Sequence, residues 1–199
     1  MKKILLTLIA SLVAATGFCQ EFYLEPKINV ASACIAILNP AVELGFCDHS
    51  AVEYSNINAF AKESYLGTDA PLLLSLNFLE YRYYMLNKEH RGLFVGADLG
   101  WGLYKTSKTI FSFMQHINQE RGYDWGESVL LGVTIGYKFL FKERFGLEIS
   151  ASGGWQHTNH EPYYPDGTAE CPMNKSGEWL PYKAGVYFSY RFNCKLDKE

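Results

Sequence analysis

The chain has 199 residues, a formal net charge of −3, 20% charged residues and 16% aromatic residues. That length suits one domain, and the absence of any basic block argues against nucleic acid as a partner. A mean hydropathy near zero fits a chain whose apolar residues alternate with polar ones and never form a long run.

The first element reads as a leader. Lys2 and Lys3 precede an apolar run, Ile4 to Ala15, which is too short for a membrane-spanning helix, and small residues follow at Ala14, Ala15 and Gly17. This predicts a cleaved secretory signal over residues 1–19 and one domain over residues 20–199, with cleavage after Gly17 or after Cys19. Cys19 also raises the question of a lipid anchor, but bulky Phe18 before it speaks against one.

Eight strands are predicted after the leader. Ile28 to Ile37 is the first, small-residue rich, and Ala41 to Phe46 is a short second one, closed by the polar cluster from Cys47 to Ser50. Ala51 to Ala59 and Leu72 to Leu86 form the third and fourth, and Gly92 to Tyr104 the fifth. The clearest pattern is a hairpin from Trp125 to His157, which supplies the sixth and seventh. Its first arm puts Val129, Leu131, Val133, Ile135, Tyr137, Phe139 and Phe141 on one face; its second does the same with Phe145, Leu147, Ile149, Ala151, Gly153 and Trp155. Period-2 alternation of this kind marks a strand, and both arms exceed the roughly 9–11 residues that a tilted strand needs to cross a bilayer. The eighth strand, Tyr182 to Phe192, places Tyr182, Ala184, Val186, Phe188, Tyr190 and Phe192 on one face.

The connections alternate. Those at Cys47–Ser50, Asn87–Arg91 and Lys142–Arg144 are short, and those at Phe60–Ala70, Lys105–Asp124 and Thr158–Pro181 are long. Only the first connection breaks the alternation, being brief where a long one is expected. Short turns on one side and long loops on the other are the arrangement of small outer-membrane barrels. The predicted fold is therefore all-β: an eight-stranded antiparallel up-and-down transmembrane β-barrel. Trp101, Trp125, Trp155 and Trp179 fall at the long-loop ends of their strands, where an aromatic belt at a membrane interface belongs.

Opposite the apolar faces lie Asp98, Lys138, Glu148, Lys183 and Arg191, and Glu43, Glu80 and Arg82 are expected to join them. A charge facing lipid at mid-bilayer costs roughly 2–4 kcal/mol in a barrel, so these eight are expected to point inward. A barrel of eight strands is filled by its own side chains, which favours a balanced salt-bridged plug over an ion or proton path. The four cysteines outside the leader allow three pairings, and one rim should hold both Cys47 and Cys194, the disulfide to expect if the thiols are not simply free.

Other sites are weaker. His157, His160 and Glu161, with Asp166 and Cys171 nearby, offer metal-ligating atoms, but Pro162, Pro165 and Gly167 work against the helix that would make them converge. Ser152 or Ser176 with His157 offers the serine and base of an outer-membrane lipid-modifying enzyme, an acyl hydrolase or transferase, though no motif marks either serine as a nucleophile. No metal and no cofactor is expected. Within Lys105–Asp124, the residues Ile110, Phe111, Phe113, Met114 and Ile117 are spaced for a short amphipathic helix over the rim.

The runs Leu79–Leu86, Arg91–Tyr104 and Gly132–Trp155 carry a resemblance. Their order (a Glu-x-Arg-Tyr strand, a glycine-rich Phe strand, a Gly-Tyr strand, a turn and a Glu strand) resembles the small outer-membrane barrels of the Bacteroides group, a family of unknown function. The resemblance covers about two thirds of the exported chain; the short first hairpin and the cysteines depart from it. It implies an exported barrel in the outer membrane of a Gram-negative cell, and it transfers no catalytic residue. The expected role is structural or surface-interacting, without enzymatic activity or an open pore, the partners being outer-membrane lipids and an extracellular or envelope protein met through the long loops. The alternatives are the lipid-modifying enzyme and a soluble periplasmic lipid-binding barrel with its faces reversed.

Overall fold

This computed structural model describes residues 21–62, 65–66, 71–86, 89–106, 122–142, 144–164, 166–169 and 174–195. The predicted leader, the middle of the connection between the fifth and sixth strands, and Cys171 lie outside them. In chain order the elements are β1 (Glu21–Asn29), a helical turn α1 (Val30–Ala33), β2 (Pro40–Phe46), β3 (Ser50–Ala61) and β4 (Leu72–Tyr84). There follow β5 (Gly92–Thr106), β6 (Tyr123–Phe141), β7 (Phe145–Tyr163), β8 (Asn174–Tyr190) and β9 (Phe192–Lys195).

Each strand from β2 to β7 pairs antiparallel with its neighbours in sequence, and β1 pairs with β2 on one side and with β8 and β9 on the other. The sheet therefore closes into a ring through eight strands, with β8 and β9 acting as one strand interrupted at Arg191. This is the antiparallel up-and-down barrel expected from the alternation. Followed from partner to partner, Phe22 leads through Phe46, Ser50, Tyr83, Val95, Ile135 and Ala151 to Ala184. The β8–β1 register, in which Tyr187 faces Asn29, then returns to β1 three positions beyond Asn29. The offset is about ten residues, which tilts eight strands by roughly 40°.

The first strand differs from the expected one. It runs from Glu21 to Asn29, not from Ile28 to Ile37. Asn29 ends it by turning its side chain into an N-cap that accepts from the Ser32 N–H at 3.2 Å, so Val30–Ala33 coils into a helical turn where a small-residue-rich strand was expected. The displaced strand alternates strictly, with Tyr23, Glu25, Lys27 and Asn29 buried.

The last hairpin is also longer than predicted. β7 continues to Tyr163, and His160 pairs with Asn174 of β8, so most of the supposed loop Thr158–Pro181 is sheet. A register shift between Ser152 and Gly153 leaves Tyr182 as an extra residue on β8. Its ring turns inward to stack on Phe78, with centroids 5.7 Å apart, which removes it from the apolar face predicted for that strand. Room for the ring comes from Gly132, which faces Gly154 across β6 and β7.

On the outside, β6 shows a run of exposed Val129, Leu131, Val133, Ile135, Tyr137, Phe139 and Phe141. Below the row formed by Trp101, Trp155 and Trp179, no outward-facing side chain of the described strands is charged. On β7 this surface extends from Phe145 to Trp155, about 25 Å when tilted strands rise by roughly 2.4 Å per residue along the axis.

Candidate functional site: an ion-pair network inside the ring

Alternation forces every second residue of each strand inward, and in this chain many of those residues are charged. The hub is Glu43 on β2. Its carboxylate accepts from Lys27 Nζ at 2.5 Å, Lys138 Nζ at 2.6 Å and Arg82 Nη1 at 2.9 Å. It also accepts from the Tyr23 hydroxyl at 2.5 Å and the Tyr84 hydroxyl at 3.0 Å. Five donors from β1, β4 and β6 thus converge on one carboxyl group. Such satisfaction is what a buried charge requires, because an unpaired one is strongly destabilising.

Arg82 on β4 is the second centre. Its guanidinium reaches Glu43, Glu53 at 2.8 Å, Glu80 at 2.7 Å and Glu148 at 3.0 Å, and it lies 4.6 Å from the centroid of the Phe94 ring. Four carboxylates on four different strands share this cation, a division that the planar, multiply donating guanidinium suits better than an ammonium would. Toward the short turns, Arg191 donates to Glu25 at 2.8 Å and to the backbone carbonyls of Glu89 and His90. The β4–β5 turn is thereby tied to the last strand. Toward the long connections, Lys183 meets Glu80 at 2.7 Å, and Asp98 accepts from Thr134 at 2.9 Å and from the Tyr182 hydroxyl.

The structure buries all eight residues singled out in the sequence: Glu43, Glu80, Arg82, Asp98, Lys138, Glu148, Lys183 and Arg191. Seven of them form ion pairs; Asp98 is held by hydroxyl groups instead. Three members escaped notice: Glu25, Lys27 and Glu53. Glu25 and Lys27 belong to the strand that was misplaced, and their alternation with Leu24, Pro26 and Ile28 was the available signal. Glu53 alternates between Val52 and Tyr54 in the same way.

Glu43, Glu53 and Glu148 offer carboxylate oxygens within 4.8 Å of one another, a spacing that suits a metal ion. The place is already taken. Lys27 Nζ lies 2.5, 3.0 and 2.6 Å from those three groups, and Arg82 touches all three as well. Glu53 is the least satisfied member, because its Oε2 makes no hydrogen bond despite the nearby ammonium.

The other sequence candidates do not converge. His157 pairs with Val129 on the outward face of β7, whereas Ser152 is buried and shares a hydrogen bond of 2.7 Å with Thr134. The two therefore project to opposite sides of the sheet and form no dyad. Ser176 bonds Thr158 at 2.7 Å. His160, which contacts Thr158 at 3.4 Å, faces away from His157, so the paired histidines make no metal site. The expected Cys47–Cys194 disulfide is corrected: Cys47 is disulfide-bonded, whereas Cys34 and Cys194 are free. The register explains why. Cys194 and Phe46 face Phe22 from opposite sides, so two strand spacings, roughly 9–10 Å, separate the Cys47 and Cys194 backbones, beyond the reach of about 7 Å for a disulfide.

Ring and network together define a class: an antiparallel up-and-down β-barrel with an ion-paired interior. The chain belongs to the DUF3575 family, proteins of unknown function, whose profile matches residues 4–192. No curated protein matches it.

Proposed function

We propose that this protein is an exported outer-membrane barrel of a Gram-negative cell, with a structural or surface-interaction role and a charge-locked interior in place of a pore. One observation carries the reading: the outward face is an uncharged apolar surface about 25 Å tall, the height of the band that transmembrane barrels present to lipid. Aromatic rings border it, with Trp101, Trp155 and Trp179 toward the long connections and Phe139, Phe141, Phe145 and Tyr190 toward the short turns, which suits two membrane interfaces. The inside supports the same view, since a soluble lipid carrier needs an apolar chamber and this ring holds ion pairs at its centre. The resemblance to Bacteroides-group barrels agrees with the assignment. Contacts with an envelope or extracellular partner would run through the long connections.

The test is electrophoresis of isolated outer membranes with and without boiling. A folded barrel is expected in the membrane fraction and should migrate differently until heated. Recovery in the soluble periplasm, with no heat-dependent shift, would overturn the proposal.

A further inference from the structure

Cys47 is in a disulfide, and Cys34 and Cys194 are not its partners. The sequence holds five cysteines, so the choice lies between Cys19 and Cys171. The topology decides between them.

Cys47 opens the β2–β3 turn, one position after Phe46, which pairs with Phe22 of β1. Phe22 in turn pairs with Cys194 of β9. Cys47 therefore lies at the short-turn end of the sheet, beside the place where β1 begins. Cys171 belongs to the connection between β7 and β8, three residues before β8 starts at Asn174. The 17 residues of β8 cover about 40 Å of the axis at roughly 2.4 Å each. Three residues of connection reach back about 10 Å at most. A gap of about 30 Å remains, where a disulfide tolerates about 7 Å between Cα atoms.

Cys19 passes the same test. Carried one step past Phe22 and Phe46, the antiparallel register sets Glu21 across from Cys47, one strand spacing or about 5 Å away. Cys19 comes two residues before Glu21, a length of chain that spans about 7 Å at most. The Cα separation of a disulfide, about 4.4–6.8 Å, is within that reach.

We propose that Cys47 is joined to Cys19, and that the leader is therefore cut before Cys19 and not after it. The second half of this inference rests on the export reading. Cleavage after the small residue Gly17 keeps Cys19 on the mature chain, with Phe18 first. The bond also uses the Cys19 sulfur, so the thioether of a lipid anchor has no place there. Its formation is a thiol–disulfide exchange. Two thiols become one S–S bond, and their two electrons and two protons pass to a disulfide-bearing oxidant of the exported compartment, which leaves as a dithiol. The bond falls where the ring is thinly joined. β1 pairs with β8 over three residues and with β9 over four, and a covalent link to the β2–β3 turn holds its start in register.

The experiment takes the full chain from whole cells of its native host, blocks free thiols by alkylation, cleaves at lysine and arginine without reduction, and weighs the peptides. The expected species joins residues 18–27, carrying Cys19, to residues 28–62, carrying Cys47 and an alkylated Cys34; reduction should separate the two. Cys47 joined to Cys171, to Cys194 or to a small thiol would overturn the link. So would a mature chain beginning at Gln20, or a diacylglyceryl group on Cys19. A chain that keeps Met1 and has every cysteine alkylated would overturn export and the link together, whereas a processed chain without the link refutes the disulfide alone.

Discussion

Replacing Arg82 with methionine tests the network most directly. The substitution keeps an unbranched apolar stem and deletes the guanidinium. Three of its four carboxylate partners retain other donors: Glu43 keeps two lysines and two tyrosines, Glu80 keeps Lys183, and Glu148 keeps Lys27. Glu53 does not. Its Oε1 loses the only hydrogen bond it makes among the described residues, and its Oε2 is left with an ammonium at 3.0 Å outside hydrogen-bond geometry. Breaking a buried pair by removing one partner costs about 3–5 kcal/mol. Arg82→Met should therefore lower unfolding stability by about that much, measured as the urea midpoint of the heat-sensitive mobility shift with tryptophan fluorescence alongside. Adding Glu53→Gln should recover about 1–2 kcal/mol, because the orphaned charge is then gone. A loss below about 1 kcal/mol, or a double variant less stable than Arg82→Met alone, would refute the account of Glu53 as the dependent member.

Three more outcomes are expected. Gly154→Val should abolish folding, read as loss of the mobility shift, since a Cβ there would stand 2.3 Å from the Leu131 carbonyl and 2.5 Å from Gly132 Cα, backbone atoms that cannot move aside. His90 sits in the β4–β5 turn, buried against the Tyr23 and Tyr84 rings, and burial holds its imidazole below the ordinary range. A lowered folded-state value favours the neutral ring. The contribution is thus complete above the unfolded value of about 6.5 and lost as pH falls below it; urea midpoints between pH 7.5 and 5.5 should show this slope, and His90→Gln should flatten it. Peptide mapping without reduction should find Cys47 cross-linked and Cys34 and Cys194 alkylated, whereas a Cys47–Cys194 link would contradict the β1 register.

What the sequence disclosed, and what it hid, follow from the same alternation. The β6–β7 hairpin was legible because its outward residues are large and apolar while its inward ones are glycine, serine and single charges. β1 was obscured by its neighbour: the run from Val30 to Ile37 has the β-branched and small residues of a strand, and only the side chain of Asn29, acting as a cap, turns it into a helical coil. With β1 misplaced, Glu25 and Lys27 had no face to be assigned to. Tyr182 was put on the wrong side because a single bulge reverses the parity of everything beyond it, and nothing in the local sequence marks where a bulge falls. The disulfide expectation failed for want of register, since sharing a rim does not make two cysteines adjacent.

The convergence on Glu43 bears on how the protein is made. Its donors come from β1, β4 and β6, and Arg82 draws on carboxylates from β2, β3, β4 and β7, so no single hairpin contains all the partners of either residue. A half-built sheet carries carboxylates and cations whose partners have not yet arrived. The set is complete only at the last seam, where β1 meets β8 and Glu25 and Lys27 reach Arg191 and Glu148. Full pairing of the charges is accordingly a property of the closed ring.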